Sequence, residues 1–302
     1  MRPRVALVSA RAARHLDEDL PPLLAALAAV GLDAVVADWD DPEVSWAHFR
    51  VAVLRSTWDY AERIVEFLAW AEQTAQLTTL VNPPPVVRWN TDKHYLRELA
   101  LAGVPTVPTQ FVEPGEHAPE ALWRFLQQGT AEWVVKPAVG AGSRDAARYS
   151  RGEDRLAAQH IGRLLDAGRS VLLQPYLAQV DLHGETALIY FAGRFSHAIR
   201  KGPLLRRGAA PTDALFAEEQ ITARMPAAEE LQVAAQVLAA LPFAAPLYAR
   251  VDLIRSEDGV PCLLELELTE PSLFFTHAPQ AAARLAESCF SLATAGAAVV
   301  TK

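Results

Sequence analysis

Four residues at alternate positions on two neighbouring apolar stretches carry the most chemical potential in the sequence: Arg250 and Asp252 in Leu247–Ile254, and Glu265 and Glu267 in Pro261–Leu268. The two stretches read as a β-hairpin turning at Ser256-Glu257-Asp258-Gly259, and side chains two apart on a strand share a face. Asp252, Glu265 and Glu267 therefore face one space, while Val251, Leu253, Leu264, Leu266 and Leu268 point into a core. Three carboxylates in one space repel unless a cation lies among them, and hard oxygen donors suit magnesium held together with substrate phosphates. The alternation also fits an amphipathic hairpin whose acidic face is simply solvated.

A second constellation is Trp133-Val134-Val135-Lys136-Pro137 followed by Gly140-Ala141-Gly142-Ser143-Arg144. A lysine at a strand's end, before residues small enough for backbone N–H groups to approach a ligand, makes a phosphate cradle. The Gly-Lys-Ser/Thr order of a P-loop is absent, and Asp145 stands where a dinucleotide fingerprint needs its third glycine. A plain flexible turn is the alternative. Of the 28 basic residues only four are lysines, at positions 93, 136, 201 and 302, which singles out Lys93 in the first turn of a helix beside Lys136. Val171–Leu177 reads as a buried strand broken at Pro175; beyond the break, the backbone near Tyr176 and Leu177 can bond a planar heterocycle or merely connect two domains. Arg200, in His197-Ala198-Ile199-Arg200-Lys201, has the planar guanidinium suited to a carboxylate or tetrahedral intermediate, and equally fits a surface arginine at a strand end.

Three groups of elements must position these residues. Strands Arg4–Val8, Ala34–Ala37 and Val51–Leu54 with helices Leu20–Val30 and Ala61–Gln76 form a βαβ lobe with a parallel sheet. Ligands of such sheets meet the loops beyond the strand C-termini, which places Arg55-Ser56-Thr57-Trp58-Asp59-Tyr60 at a site; a helix cap with a packed tryptophan is the alternative. Pro83-Pro84-Pro85 is expected to stop regular structure and mark a boundary. A helix from Thr91 or Asp92 to Ala102, the extended Val104–Val112, helices Pro119–Gln128 and Glu153–Ala167, and strands Trp133–Lys136 and Val171–Gln174 make a smaller α+β lobe. A hairpin of Ala187–Ala192 and Phe195–Ile199 turning at Gly193-Arg194, an Arg- and Ala-rich connection, helix Ala227–Ala240, the acidic hairpin and a C-terminal helix complete a third. The expected domains are 1–88, 89–177 and 178–302.

At 302 residues the chain exceeds one core, and 51% apolar with 21% charged residues is ordinary for a folded protein. The net charge of −8 argues against nucleic acid and anionic membranes as partners. No run reaches the roughly 18 apolar residues of a membrane span, and no secretory signal opens the sequence, so a cytoplasmic protein is expected. Cys262 and Cys289 lack metal-ligand spacing and read as core thiols.

In order, Lys93, Lys136 with its loop, the Gln174–Leu177 break, Arg200, Asp252, Glu265 and Glu267 resemble the ATP-grasp superfamily over nearly the whole chain. The resemblance implies an α/β and α+β fold in which an N-terminal βαβ lobe precedes two α+β lobes clamping ATP. It implies that Lys93 and Lys136 hold phosphates under the loop of Gly140, Gly142 and Ser143, and that Gln174, Tyr176 and Leu177 line the adenine hinge. Glu185, with Asp181 as rival, would take the ribose side, and Asp252 and Glu265 would bind Mg2+. Glu267 stands where the superfamily shows Asn in Glu-x-Asn, which leaves the number of metals open. Arg200, Lys201 and Arg250 would meet the charge of the reacting groups. ATP-grasp relatives are often dimers, so a homodimer is the expectation carried over.

Ser56–Tyr60, Val87–Lys93 and Glu265–Leu273 look like the cycloserine-pathway branch, typified by O-ureido-serine cyclo-ligase and related to glutathione-synthetase-like ligases. That branch implies a small carboxylate substrate activated as an acyl phosphate for attack by nitrogen, with O-ureido-D-serine cyclising. Ser56 and Thr57 would bond its polar tail, Asp59 would receive its ammonium, and Trp58 or Tyr60 would exclude water. Arg144, Glu270 and Ser272 would approach from the other side. An intermolecular carboxylate–amine ligase stays open at this point; a non-catalytic nucleotide-binding protein is disfavoured by the retained carboxylates and lysines, and a dehydrogenase by the incomplete glycine fingerprint.

Overall fold

The computed structural model describes residues 2–208 and 220–295, so Lys302 and part of the Arg- and Ala-rich connection lie outside the described residues. The N-terminal lobe contains β1 (Arg4–Ser9), α1 (Leu20–Ala29), β2 (Asp33–Asp38), β3 (Val51–Ser56), α2 (Ile64–Ala75) and a short β4 (Thr79–Val81). Its sheet runs β2-β1-β3-β4, all parallel, and β1 and β3 read as unbroken apolar runs because both faces are covered. Pro84 and Pro85 do not stop the chain. They open α3 (Pro84–Asn90), since the first helical turn has no partner for its N–H groups and proline's fixed φ suits it. The helix expected up to Ala102 is shorter, α4 (Tyr95–Leu101), and Lys93 sits in the turn before it, its N–H on the Ala138 carbonyl at 2.9 Å.

The central lobe is an antiparallel sheet, β5 (Gln110–Val112), β6 (Glu132–Pro137), β7 (Ala147–Ser150) and β8 (Val171–Pro175), in the order β5-β8-β6-β7. Helices α5 (Ala118–Leu126) and α6 (Asp154–Asp166) cover it through Leu122, Phe125, Ile161 and Leu164. The C-terminal lobe holds α7 (Gln179–His183), β9 (Glu185–Phe191), β10 (Arg194–Lys201), β11 (Ile221–Arg224), α8 (Ala228–Ala239), β12 (Tyr248–Arg255), β13 (Pro261–Glu267) and α9 (Ala281–Ala295). Its antiparallel order is β11-β10-β9-β12-β13. The β9–β10 turn falls on Ala192 and Gly193, one residue earlier than expected, because both central positions are left-handed at φ 48° and 75° as a tight hairpin requires.

The buried clusters tie these lobes together. Leu23 and Leu27 of α1, Ile189 and Phe191 of β9, and Leu285 and Cys289 of α9 share one core, so the parallel sheet and the five-stranded sheet are joined through α1 and α9. Leu96 and Leu99 of α4 pack with Val251, Leu266 and Val237 of the C-terminal lobe. Cys262 and Cys289 are buried thiols, pushed up by burial to about 11 and about 12. No described helix is long and apolar enough to cross a membrane.

Candidate active site

One cleft gathers most of the residues singled out above. On its floor β12 and β13 pair Arg250 with Glu267 and Asp252 with Glu265. A bulge after Asp252 then sets Leu253 opposite Leu263, leaving Leu264 out of the ladder. Strict alternation sends Leu264 into the core; the bulge turns it, half-buried, onto the cleft instead. The carboxylates are interleaved with cations. Lys201 Nζ lies 2.8 Å from Asp252 Oδ2 and 3.1 Å from Glu185, Arg250 Nε lies 2.9 Å from Asp252 Oδ1 while its guanidinium also pairs with Glu267, and Lys93 Nζ lies 3.1 Å from Glu265. The three acids expected to share one space therefore divide: Glu265 and Glu267 line the cleft, whereas the Asp252 side chain is 1% exposed beneath Arg250 and Lys201. Among the described residues no group of three or more His, Cys, Asp or Glu stands in metal-holding geometry.

The charges follow from this packing. Burial alone would raise the Asp252 and Glu265 carboxyls, but Arg250 and Lys201 outweigh it at Asp252, and Lys93 and Lys136 at Glu265, so both lie below the ordinary range. At Glu267 burial prevails over Arg250, helped by Asp252 and Glu265, and pushes the carboxyl up to about 7. Lys136 is held below its ordinary value by burial despite the attraction of Glu265. Arg200 and Lys201 are successive residues of β10 and so face opposite sides. Lys201 lines the cleft; Arg200 does not, its Nε donating to the His183 carbonyl at 2.9 Å.

Lys136 and the loop Gly140–Arg144 form one wall. Lys93 Nζ donates to the Gly140 carbonyl at 2.7 Å, and a Cβ on Gly140 would stand 3.1 Å from Pro137. Gly142, Ser143 and Asp145 are left-handed at φ 62°, 60° and 58°. Asp145, the residue that breaks the dinucleotide fingerprint, fastens the loop by accepting bonds from Arg163 at 2.7 Å and Arg169 at 2.6 Å. Arg144 crosses to Glu62 of the N-terminal lobe. Opposite, Val107, Leu177, Val180, Ile254 and Leu264 make an apolar slot beside Gln174, whose Nε2 donates to Thr109 at 2.8 Å. The Tyr176 ring stacks on Arg148 and its hydroxyl donates to Asp181 at 2.6 Å. Asp181 does not line the cleft, and Glu185 does.

The loop after β3 is divided. Trp58 and Tyr60 line the cleft with Glu270 and Ser272. Ser56 is fully buried on Ser9, Oγ to Oγ 2.8 Å, and Thr57 is fully buried as well. Asp59 does not line the cleft: Trp39 Nε1 donates to it at 2.9 Å and Arg63 pairs with it. The segment beyond β13 is fastened carbonyl by carbonyl. Leu268 accepts from Asn82, Thr269 from Tyr248, Glu270 from Trp58, Pro271 from Arg55, Ser272 from Arg250 and Leu273 from His197, at 2.7 to 3.2 Å. Asp19 then accepts the N–H groups of Leu273, Phe274 and Phe275. Sequence reasoning missed Asp19, Asn82, Asn90 and Phe274. Asn90 donates to the Leu266 carbonyl at 2.8 Å and accepts from Leu268 N–H at 2.7 Å, which locks α3 to β13; a buried amide at the end of a short helix gave no separate signal.

Residues 5–82 match a family model described as the N-terminal domain of D-cycloserine synthetase DcsG. Over 292 residues the chain is 44% identical to cycloserine biosynthesis protein DcsG of Streptomyces lavendulae, covering 94% of this chain and 97% of that protein. The crystal structure of D-cycloserine synthetase DcsG matches at 42% identity with a TM-score of 0.89, over 96% of this chain and 99% of that one. The ATP-grasp ligase PsnB, complexed with a phosphomimetic variant of its minimal precursor, Mg and ADP, matches at 19% identity and a TM-score of 0.65 over 96% of this chain and 98% of its own, a likeness of fold. With that identity sustained from the parallel sheet to the last helix around one charged cleft, the chain belongs to the DcsG family of ATP-grasp proteins.

Proposed function

We propose that this chain is an ATP- and magnesium-dependent ligase that activates the carboxylate of O-ureido-D-serine as an acyl phosphate and closes it on its own nitrogen to give D-cycloserine. The observation that carries the reading is the cleft in which Lys93, Lys136, Lys201 and Arg250 converge with Glu265 and Glu267 under a small-residue loop. The 44% identity to DcsG supports the choice of substrate.

ATP would lie with its base in the slot of Val107, Leu177, Ile254 and Leu264, its ribose toward Glu185 and its phosphates on Lys93, Lys136 and the loop Gly140–Arg144. Glu265 and Glu267 offer hard oxygens on the cleft side, their side chains 27% and 24% exposed, so the donor set fits a divalent cation. Bound there, magnesium supplies Lewis-acid neutralisation of phosphate oxygens. Asp252, with both oxygens on Arg250 and Lys201, would orient those two cations.

The chain's part in catalysis is placement and charge. Arg250 and Lys201 face the negative charge that develops as the phosphoryl group passes to the carboxylate and as the acyl carbon becomes tetrahedral. The ureido nitrogen then attacks that carbon. A C–N bond forms, phosphate leaves with the C–O electron pair, and the N–H proton is released. Nucleophile and acyl carbon belong to one molecule, so closing the five-membered ring needs no acceptor amine. Hydrolysis of the carbamoyl group gives CO2 and ammonia. Trp58 and Tyr60 shield the acyl phosphate from water.

The test of this chemistry is oxygen tracing. O-ureido-D-serine labelled with 18O in its carboxylate should deliver one label to inorganic phosphate for each ring formed. Phosphate released without label would mean that the carboxylate is never phosphorylated.

A further inference from the structure

Four described carboxylates line the cleft: Glu185, Glu265, Glu267 and Glu270. Three of them face a cation of the chain, Lys201, Lys93 and Arg250 respectively. Glu270 forms no ion pair among the described residues; of its neighbours the Tyr60 hydroxyl and Lys93 favour its charged form. Yet it is buried, at 7% exposure. A carboxylate withdrawn from water without a counter-charge is costly, several kcal/mol for an ion that stays charged. Burial and the neighbouring Glu267 accordingly push this carboxyl up to about 8.

The backbone around Glu270 does not let the side chain withdraw to solvent. The carbonyls of Thr269, Glu270 and Pro271 are held by Tyr248 at 3.0 Å, Trp58 at 3.1 Å and Arg55 at 2.9 Å. Those donors come from β12, from β3 and from the loop after β3, so Glu270 is presented on a fixed frame on the N-terminal side of the cleft. The acid expected to serve a substrate ammonium, Asp59, is taken up by Trp39 and Arg63 and lies off the cleft.

We infer that Glu270, which lines the cleft with Tyr60, is the receptor for the α-ammonium of the substrate, and so the residue that selects an amino acid over a plain carboxylic acid. The inference rests on the proposed reaction. With the carboxylate drawn to Arg250 and Lys201 and the ammonium to Glu270, two of the four groups on the substrate's α-carbon are fixed, which aims the ureidooxymethyl arm.

The experiment compares O-ureido-D-serine with 3-(ureidooxy)propanoic acid, the same molecule without its amine, in the full-length enzyme, reading kcat/KM from ADP release. Wild type should prefer the amino compound by at least about 100-fold, as a site built around a charged hydrogen bond does. In Glu270→Gln that ratio should fall to near one, and Tyr60→Phe should lower it in the same direction by a smaller factor. Calorimetric ATP affinity close to wild type in both variants checks that the cleft is intact. A loss of equal size on both compounds, with the ratio kept, would make Glu270 a proton acceptor for the nitrogen and overturn the inference. So would an unchanged ratio in whichever variant binds ATP. A wild type that turns over neither compound would instead sink the reaction reading itself.

Discussion

Asp19 is remote in sequence from every residue of the cleft, yet its carboxylate holds the segment that presents Glu270 and Ser272. One oxygen accepts the N–H groups of Leu273 and Phe274, the other that of Phe275 at 2.9 Å, and the fully buried Arg55 stands 3.6 Å away. Asp19→Ala strips three N–H groups of a charged acceptor, at roughly 1.5–3 kcal/mol each when taken separately. It also leaves Arg55, whose Nε and Nη1 already have no hydrogen-bond partner, without its nearest counter-charge, a loss of roughly 3–5 kcal/mol for a buried pair. One carboxylate makes all these contacts and water can enter the gap, so the terms overlap and the net loss should be about 4 kcal/mol. For a chain of this size that lowers Tm by roughly 10 °C. Scanning calorimetry gives the Tm; steady-state kinetics gives KM for the carboxylic substrate and calorimetric titration gives Kd for ATP. The substrate KM should rise at least tenfold more than the ATP Kd, because the loosened segment lines the substrate end of the cleft. A Tm within about 2 °C of wild type, or equal losses for both ligands, would refute the argument that Asp19 fixes this segment.

Strand alternation on β10 predicts that Lys201→Met lowers kcat by roughly 10^2 to 10^3, the cost of one charge stabiliser, whereas Arg200→Ala stays within about fivefold of wild type; the reverse order would place the wrong face of β10 in the cleft. Glu265→Gln removes a donor charge at constant shape and should cut turnover by a similar factor with Tm nearly unchanged; ATP consumption near wild type would reject the magnesium placement. His160 is buried against Tyr149 at 3.0 Å, and burial pushes its imidazole down to about 4. Because the unfolded imidazole titrates near 6.5, the unfolded chain binds this proton first, so the stability is full above pH 6.5 and is lost as pH falls toward 4, by about 3 kcal/mol. His160→Gln should remove that part of the acid sensitivity between pH 6.5 and 4, and identical pH profiles of Tm for the two proteins would refute it.

What the sequence disclosed depended on period and length. Strands β1 to β3, the long helices and both C-terminal hairpins have enough apolar residues at regular spacing to be read within three residues of their ends. Strands β4, β7 and β11 and helix α7, each of three to five residues, have too short a pattern, and Pro84 and Pro85 looked like a stop because a proline ends a helix interior but suits a first turn. In the cleft, composition and spacing located Lys93, Lys136, Glu265 and Glu267. The direction of a side chain was another matter. Arg200 and Lys201 cannot both face one side of a strand, and a bulge turned Leu264 around. Asp59 was taken by Trp39, 20 residues before it, together with Arg63 one turn on, and Asp252 by Lys201 of β10 together with Arg250 two residues before it; the distant partners are what local pattern does not encode. Glu270 stood in the quoted motif, but its lack of a cation is a property of the assembled cleft.

The most direct measurement supplies the purified protein with ATP, magnesium and O-ureido-D-serine, with no second amine present, and resolves the products by mass spectrometry alongside ADP. One D-cycloserine per ADP is the predicted result. ADP release that begins only when an amine-bearing co-substrate is added, with a linear amide as product, would contradict cyclisation and make the chain an intermolecular ligase.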